Sequence, residues 1–395
     1  METFSGVLIA LFATSALIYL LSKRAHHVGL VDSSESRKIH ETDVPTVGGI
    51  AIFAGFMLAI FSSSFSQVQL IGFVLPALLL VGVGAVDDAI SIPYKLRLFV
   101  QILAGLLMTI AGGTVLEQLG MLLLPGKVIT LGIFAIPFTI VCLLTLVNAL
   151  NMTDGIDGLA GSLTLVALLA LGVVAYIGGD LSILGELSFL GICMIAFLAF
   201  NARFLWQKTA AIYLGDSGST FLGFALIWFS VTMSQGEQAV MTPVTPLWFI
   251  AVPLFDMVTV FTKRIFTRKS PFEADREHLH HLFLAAGFSV GQTVLILSAV
   301  ALLLAITGIA GLYYGVPENV MFALFLGLFA SCAYLVPRSW TKRRFLGRPI
   351  CRRTWQKCPL ALDRRRHFSI TDQESYECAE RRSGDDRRED LARGD

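Results

Sequence analysis

The chain is 395 residues long, 55% hydrophobic and only 15% charged, with a formal net charge of +1. Soluble globular chains carry about 25% charged residues, so this composition excludes a soluble domain and predicts an all-α polytopic integral membrane protein. The near-zero net charge says nothing about partners, because charge is segregated along the chain; no nucleic-acid partner is expected.

Hydropathy predicts about 11 transmembrane helices, near residues 4–22, 47–65, 69–86, 97–113, 128–147, 159–178, 182–200, 211–233, 243–262, 290–312 and 319–337. The first lacks the basic leader of a cleavable signal and is followed by Lys23 and Arg24, so it is expected to be retained, with the N-terminus periplasmic. When the connections are alternated, one side collects thirteen basic residues, among them Lys38, Lys95, Arg97, Arg203, Lys263 and Arg276. The other side collects Lys127 alone. That asymmetry places the first set in the cytoplasm. Every polar cluster falls on the same side.

Residues 1–337 therefore read as the transmembrane domain, with its polar loops facing the cytoplasm. Residues 338–395 read as an arginine-rich cytoplasmic tail, expected to be disordered, whose arginines touch anionic membrane lipids. Cys142, Cys193 and Cys332 lie in apolar segments and are expected to act as small hydrophobes. Cys351, Cys358, His367 and Cys378 of the tail fit no standard zinc spacing, and no structural disulfide is expected. Gly105, Gly112 and Gly113 permit close helix packing, either within the chain or between two copies in a homodimer.

Five polar clusters interrupt the apolar pattern. Asp87 and Asp88 end the third span, with Lys95 and Arg97 a few residues on. Adjacent carboxylates repel and are best tolerated where a cation or a shared proton neutralises them, although a charged helix end would look the same. Asn148 to Gly158, NALNMTDGIDG, follows the fifth span; a helix beginning near Thr153 would put Asp154 and Asp157 on one face. Asp216 lies in YLGDSGS, where Gly215 and Gly218 would let backbone amides point at an anion and Ser217 or Ser219 would cap the next helix. Asp256, inside the ninth span near Pro253, serves either a wet groove or the packing of the following loop. That loop carries His278, His280 and His281, read as phosphate or sugar binders in preference to zinc ligands.

The combination has a direction. Carboxylate oxygens suit magnesium, or manganese, while lysine and arginine suit phosphates. No Walker A loop and no nucleophile elbow is present. Phosphoryl transfer with one lipid reactant follows. A secondary transporter would place its acids near mid-membrane in broken helices, whereas four of the six acids named lie at cytoplasmic ends or loops.

The motifs PTVGG (45–49), VDD with Lys95 and Arg97, NALNMTDGIDGLAG, YLGDSGS, and PLFDM followed by SPFEADREHLHH stand in an order that resembles the polyprenyl-phosphate N-acetylhexosamine-1-phosphate transferases. The resemblance runs from about Lys38 to Ser289. It implies a magnesium-dependent enzyme of the inner (plasma) membrane, its cleft facing the cytoplasm, that transfers a sugar 1-phosphate from a UDP-sugar donor to undecaprenyl phosphate and releases UMP. It further implies that Asp216 ligates the metal, with Asp88 as a second ligand, and that Asp87 activates the acceptor phosphate with Asp88 as its supporting partner. By the same resemblance Asn148, Asn151, Asp154 and Asp157 contact the nucleotide and organise the metal site, and His278, His280 and His281 form the family's histidine motif. Lys38, Lys95, Arg97, Asn201, Asp256 and Arg276 are assigned to substrate binding. The HLHH loop points to UDP-GlcNAc, with another UDP-N-acetylhexosamine as the alternative, and the product would feed a cell-envelope polysaccharide such as an O antigen.

Overall fold

The computed structural model describes residues 2–32, 44–61, 70–203, 207, 209–266, 278–342, 344–346 and 348–350. The chain is an all-α polytopic membrane protein. Among the described residues, nine helices are long and apolar enough to cross a bilayer. Two of the predicted spans fall outside that set. The second is a shorter helix, Gly48–Phe61, ahead of residues that are not described. The ninth is broken into Thr245–Phe249 and Ala251–Phe266. The break precedes Pro253, which has no N–H for the carbonyl of Phe249, so the helix restarts after Ile250.

In chain order the helices are α1 (Glu2–Val28), α2 (Gly48–Phe61), α3 (Leu75–Ile90, entered through a π-turn at Leu70–Val74), α4 (Tyr94–Leu106), α5 (Ala135–Thr153), α6 (Leu159–Gly178) and α7 (Leu181–Asn201). There follow α8 (Gly215–Ser234), α9 (Thr245–Phe249), α10 (Ala251–Phe266), α11 (Leu279–Ala285), α12 (Val290–Tyr313) and α13 (Glu318–Lys342). Two antiparallel strand pairs complete the described structure: β1 (Val31–Asp32) with β2 (Val44–Pro45), and β3 (Arg344–Phe345) with β4 (Arg348–Pro349).

The bundle is built around α8, which is buried over nearly its whole length. Phe53, Phe56, Phe73, Phe221, Phe224, Trp228 and Phe229 interlock at its centre with ring centroids 5.2–6.3 Å apart. The peripheral helices instead turn apolar residues outward, as with Phe12 of α1 and Leu303 of α12, which suits a lipid solvent. Cys193 is fully buried, and Cys142, Cys193 and Cys332 are free thiols. Gly105 packs against Ile140 and Leu143, and Gly112 against Gly72, so both of these small residues serve contacts within the chain.

Close approach at one end of α8 shapes the site. Gly49 of α2 lies against Gly218, where a side chain on either residue would collide with backbone. Through this contact the PTVGG segment straps the start of α8: Tyr213 N donates to Pro45 O, while Gly48 N and Gly49 N donate to the carbonyls of Tyr213 and Leu214. At the opposite end, Gln235 ties α8 to residues 117 and 118 through its side-chain amide.

Regular structure continues past the composition break at Arg338. Helix α13 runs to Lys342, and the β3–β4 pair follows it. Residues 351–395, with the tail cysteines, lie outside the described residues.

Candidate functional site

Four helix ends converge at one end of the bundle. Asp87 and Asp88 stand in the last turn of α3, Arg97 in the first turn of α4, Asn148 and Asn151 in the last turns of α5, and Asp216 in the first turn of α8. A small cleft is lined by Asp87, Arg97, Asn148, Asn151 and Asp216, with Leu80, Val83 and Val100 as its apolar wall.

Arg97 is the hub. Its Nη1 donates to Asp87 Oδ2 at 2.8 Å and lies 3.6 Å from Asp216 Oδ2. The other oxygen of Asp87 accepts from Ile92 N at 2.8 Å, in the left-handed turn at Ser91 that ends α3. Asp87 is thereby fixed and 6% exposed. Arg97 remains over a third exposed, and its other N–H groups make no hydrogen bond among the described residues. Asn151 Nδ2 donates to Asp216 Oδ1 and, at 3.0 Å, to Ser219 Oγ. Asn148 Nδ2 donates to Gln101 Oε1 at 3.0 Å. Lys95 is exposed, two residues before Arg97.

Asp88 does something the sequence reading did not foresee. The N-cap position of α8 is Leu214, which has no capping side chain, and neither Ser217 nor Ser219 caps the helix. Asp88 supplies the cap from α3 instead: Oδ1 accepts from Asp216 N at 2.7 Å and Oδ2 from Ser217 N at 3.2 Å. The amides do point at an anion, and that anion is an internal carboxylate, favoured there by the helix dipole. Gly215 has φ +75°, and a Cβ on it would run into the Asp88 carboxylate. Only glycine allows both the turn and the cap.

The NALNMTDGIDG stretch is split. No helix begins at Thr153, which is the last residue of α5, and α6 begins at Leu159. The intervening turn, which opens at Asp154, whose N donates to Leu150 O, and ends at Gly158 with φ +83°, separates the two acids that helical periodicity places on one face. Asp154 is buried at the end of α5. Asp157 turns to the 202–214 connection, where its Oδ2 accepts from Arg203 Nε at 2.8 Å and Ala210 N at 3.2 Å. Asn201 makes the parallel tie: Oδ1 accepts from Gly158 N and Nδ2 donates to Ile212 O, both at 2.8 Å. Together these contacts latch the 154–158 turn to the segment leading into Asp216.

The histidines form a second, adjacent layer. Asp256 of α10 accepts from His278 Nδ1 at 3.0 Å and from Leu279 N at 2.7 Å, so it supports the histidine loop, one of the two roles open to it from sequence. An ionised carboxylate only accepts, which fixes the proton on Nδ1 of His278. The His278 and His280 rings are parallel with centroids 5.8 Å apart, and His281 lies 4.1 Å from His280. His280 Nε2 abuts the backbone of Gly155, which joins the histidine layer to the 154–158 turn. Burial first, and then the neighbouring His281, hold His280 well below the ordinary histidine range. Lys38 and Arg276, with the SPFEADRE segment (270–277), lie outside the described residues.

Sequence reasoning missed Gln101, which lines the cleft. Its signal was available: a polar side chain one turn after Arg97 on the same helix face, inside an apolar span.

The donor set suits a hard divalent cation. Asp87 and Asp216 offer carboxylate oxygens in one cleft, and the described residues hold no group of three His, Cys, Asp or Glu side chains able to cage a metal alone. Magnesium takes one or two carboxylates and completes its shell with water and substrate phosphates, which fits such a site.

The sequence of residues 70–234 matches the family model described as glycosyl transferase family 4. The chain is 38% identical over 349 residues to the undecaprenyl-phosphate alpha-N-acetylglucosaminyl 1-phosphate transferase of Yersinia pestis, covering 88% of this chain and 95% of that one. It is 35% identical to the protein of that name from Escherichia coli (strain K12), over 88% of this chain and 94% of the relative. With the Haemophilus influenzae protein of the same name it shares 34% identity, over 88% and 95% of the two chains.

Proposed function

We propose that this chain, which belongs to glycosyl transferase family 4, transfers N-acetylglucosamine 1-phosphate from UDP-GlcNAc to undecaprenyl phosphate. The observation that carries the reading is Arg97, which joins Asp87 and Asp216 in a cleft with an apolar wall at the end of a membrane bundle. A cation with unspent donors beside lipid-facing helices is what a phosphate on a membrane lipid would need.

The reaction breaks the bond between the sugar-bearing phosphorus and the oxygen bridging to UMP. An oxygen of undecaprenyl phosphate forms the new bond to that phosphorus, and UMP leaves. The C1–O bond of the sugar is untouched, so its anomeric configuration carries over. A phosphomonoester loses its second proton near pH 6, so at neutral pH most of the acceptor is already a dianion. The task of the chain is then mainly to hold two anionic reactants together.

Arg97 binds the acceptor phosphate with its remaining donors, and Asp87 holds Arg97 in place and accepts the residual proton. Lys95 adds positive charge at the rim. Asn148 and Asn151 orient the nucleotide side of the cleft, and Asn151 also fixes Asp216. Asp216, together with Asp87, would hold magnesium. Bound there, the ion would neutralise diphosphate charge and stabilise the charge developing on UMP. Direct attack is favoured over a covalent enzyme intermediate because Arg97 and Ile92 N hold the Asp87 carboxylate in place, and an Asp87 that also holds magnesium would have to leave the metal to act as a nucleophile. The basic residues on the connections at this end support an orientation with the cleft facing the cytoplasm.

The test is UMP release by the purified chain with undecaprenyl phosphate across a panel of UDP-sugars, with and without chelator. UDP-GlcNAc should be the best donor, and chelation should abolish release until magnesium or manganese is restored. Turnover with a different N-acetylhexosamine and none with UDP-GlcNAc would overturn the donor. Full activity in chelator would overturn the metal.

A further inference from the structure

Helix α11 has seven residues, far too few to be stable alone, yet it must hold three buried imidazoles in register with the site. Part of its support comes from beyond the last membrane helix. Leu282 and Ala285, on one face of α11, pack with Val336 and Trp340 of α13 and with Ile350 just after β4. Leu282 and Ile350 are 0% and 1% exposed. Phe345 of β3 stands edge-on to Phe283 of α11, with ring centroids 4.9 Å apart at 78°. Phe283 in turn meets Phe288 at 5.3 Å, and the guanidinium of Arg348 in β4 lies 4.1 Å over the Phe288 ring.

We propose that the post-membrane hairpin, residues 344–350, is a clamp that positions the histidine helix against the 154–158 turn. Helix α11 is pinned at its start by Asp256, which accepts from His278 Nδ1 and Leu279 N, and that anchor alone leaves a pivot. The far end is gripped by Phe345 and Ile350 directly, and by Arg348 through Phe288. Between the two grips His280 Nε2 abuts Gly155, with no room for even a Cβ, so a small rotation of α11 would part the histidines from the 154–158 turn. Phe345, Arg348 and Ile350 act through α11 and are positioning residues.

The kinetic part of this inference rests on the proposed transferase reading; the structural part does not. The experiment compares the full chain with a form stopped after Lys342, a form stopped after Ile350, Phe345→Ala and the conservative Phe345→Tyr. Three quantities are read in detergent: the unfolding temperature, the carbethoxylation rate of His278, His280 and His281 relative to exposed His26 and His27, and KM and kcat for UMP release. The stop after Lys342 and Phe345→Ala should label the α11 histidines faster and lower kcat/KM for the donor, each by about tenfold, with the unfolding temperature and His26/His27 labelling unchanged. The stop after Ile350 and Phe345→Tyr should behave as the full chain.

Equal histidine labelling in all five forms would overturn the clamp. So would an activity loss that merely tracks a fall in unfolding temperature, or a loss of protection in the form that keeps the hairpin. A full chain that releases no UMP with any donor would refute the transferase reading, while the labelling would still decide the clamp.

Discussion

Replacing Asp88 separates two roles that a pair of adjacent aspartates can play, helix cap and metal ligand. Both of its oxygens accept backbone amides at the start of α8, at 2.7 and 3.2 Å. Hydrogen bonds to a charged partner contribute about 1.5–3 kcal/mol each, so Asp88→Ala should cost about 3–6 kcal/mol. Asp88→Asn keeps one carbonyl acceptor and loses the charge, and should cost about 2 kcal/mol. One of the two donors is the amide of Asp216 itself, so loosening this end displaces the carboxylate that faces Arg97 and Asn151. A displacement of about 1 Å at a reacting centre lowers turnover about 100-fold. The assay is UMP release at saturating donor and acceptor over a magnesium titration, with thermal unfolding in parallel. A cap predicts a lower kcat and a lower unfolding temperature at an unchanged half-saturating magnesium concentration. The reasoning is refuted if Asp88→Asn unfolds like the parent and regains full kcat at about tenfold higher magnesium, the behaviour of a direct ligand.

Three further predictions follow from neighbouring contacts. Gly215→Ala should lose nearly all UMP release and about 2 kcal/mol of stability, because φ +75° strains any other residue and the new methyl meets the Asp88 carboxylate; denaturation and turnover check it together. Arg203→Ala and Asp157→Asn should each raise the donor KM, and a double-mutant cycle should give a coupling of about 1 kcal/mol, modest because Arg203 is partly exposed. His280 is held below its ordinary pKa by burial and by His281, so the folded chain prefers it neutral. Its contribution to stability is full above about pH 6.5 and declines as the pH falls below that value. The unfolding temperature measured from pH 8 to pH 5 should drop below about 6.5, and His280→Gln should flatten that limb.

The membrane class, the order of the spans and the clustering of the acids could be read from the sequence because each depends on local composition: an apolar run of bilayer length, or polar residues where such a run ends. Contacts between distant segments could not. Nothing near Asp88 announces that its partners are amides 128 and 129 residues away. Periodicity suggested one face for Asp154 and Asp157 because a helix was assumed to pass through Gly155 and Gly158, and Gly158 instead turns the chain. The hairpin after α13 was hidden by the opposite effect: arginine-rich composition reads as solvated tail, while three of its residues, Phe345, Arg348 and Ile350, find apolar or aromatic partners on α11 and just beyond it.

The charge balance of the cleft constrains how the reactants arrive. Asp87 and Asp216 line the cleft and Asp88 lies behind Asp216 on the α8 amides, three negative charges against the guanidinium of Arg97 and the ammonium of Lys95 at the rim. The amides of α8 offset Asp88 in part, since a helix N-terminus carries about half a positive charge. What remains is negative, and both proposed reactants are polyanions. Donor and acceptor would therefore repel the cleft unless a divalent cation entered first or with the diphosphate. Calorimetric titration of UDP-GlcNAc into the purified chain should accordingly show binding at least about tenfold weaker in chelator than in magnesium. In Asp216→Asn, with one negative charge removed and its oxygen still accepting from Asn151, that difference should shrink although turnover is lost. Metal-independent donor binding of full strength would mean that Arg97 and the asparagines outweigh the three carboxylates, and that magnesium acts on the chemical step alone.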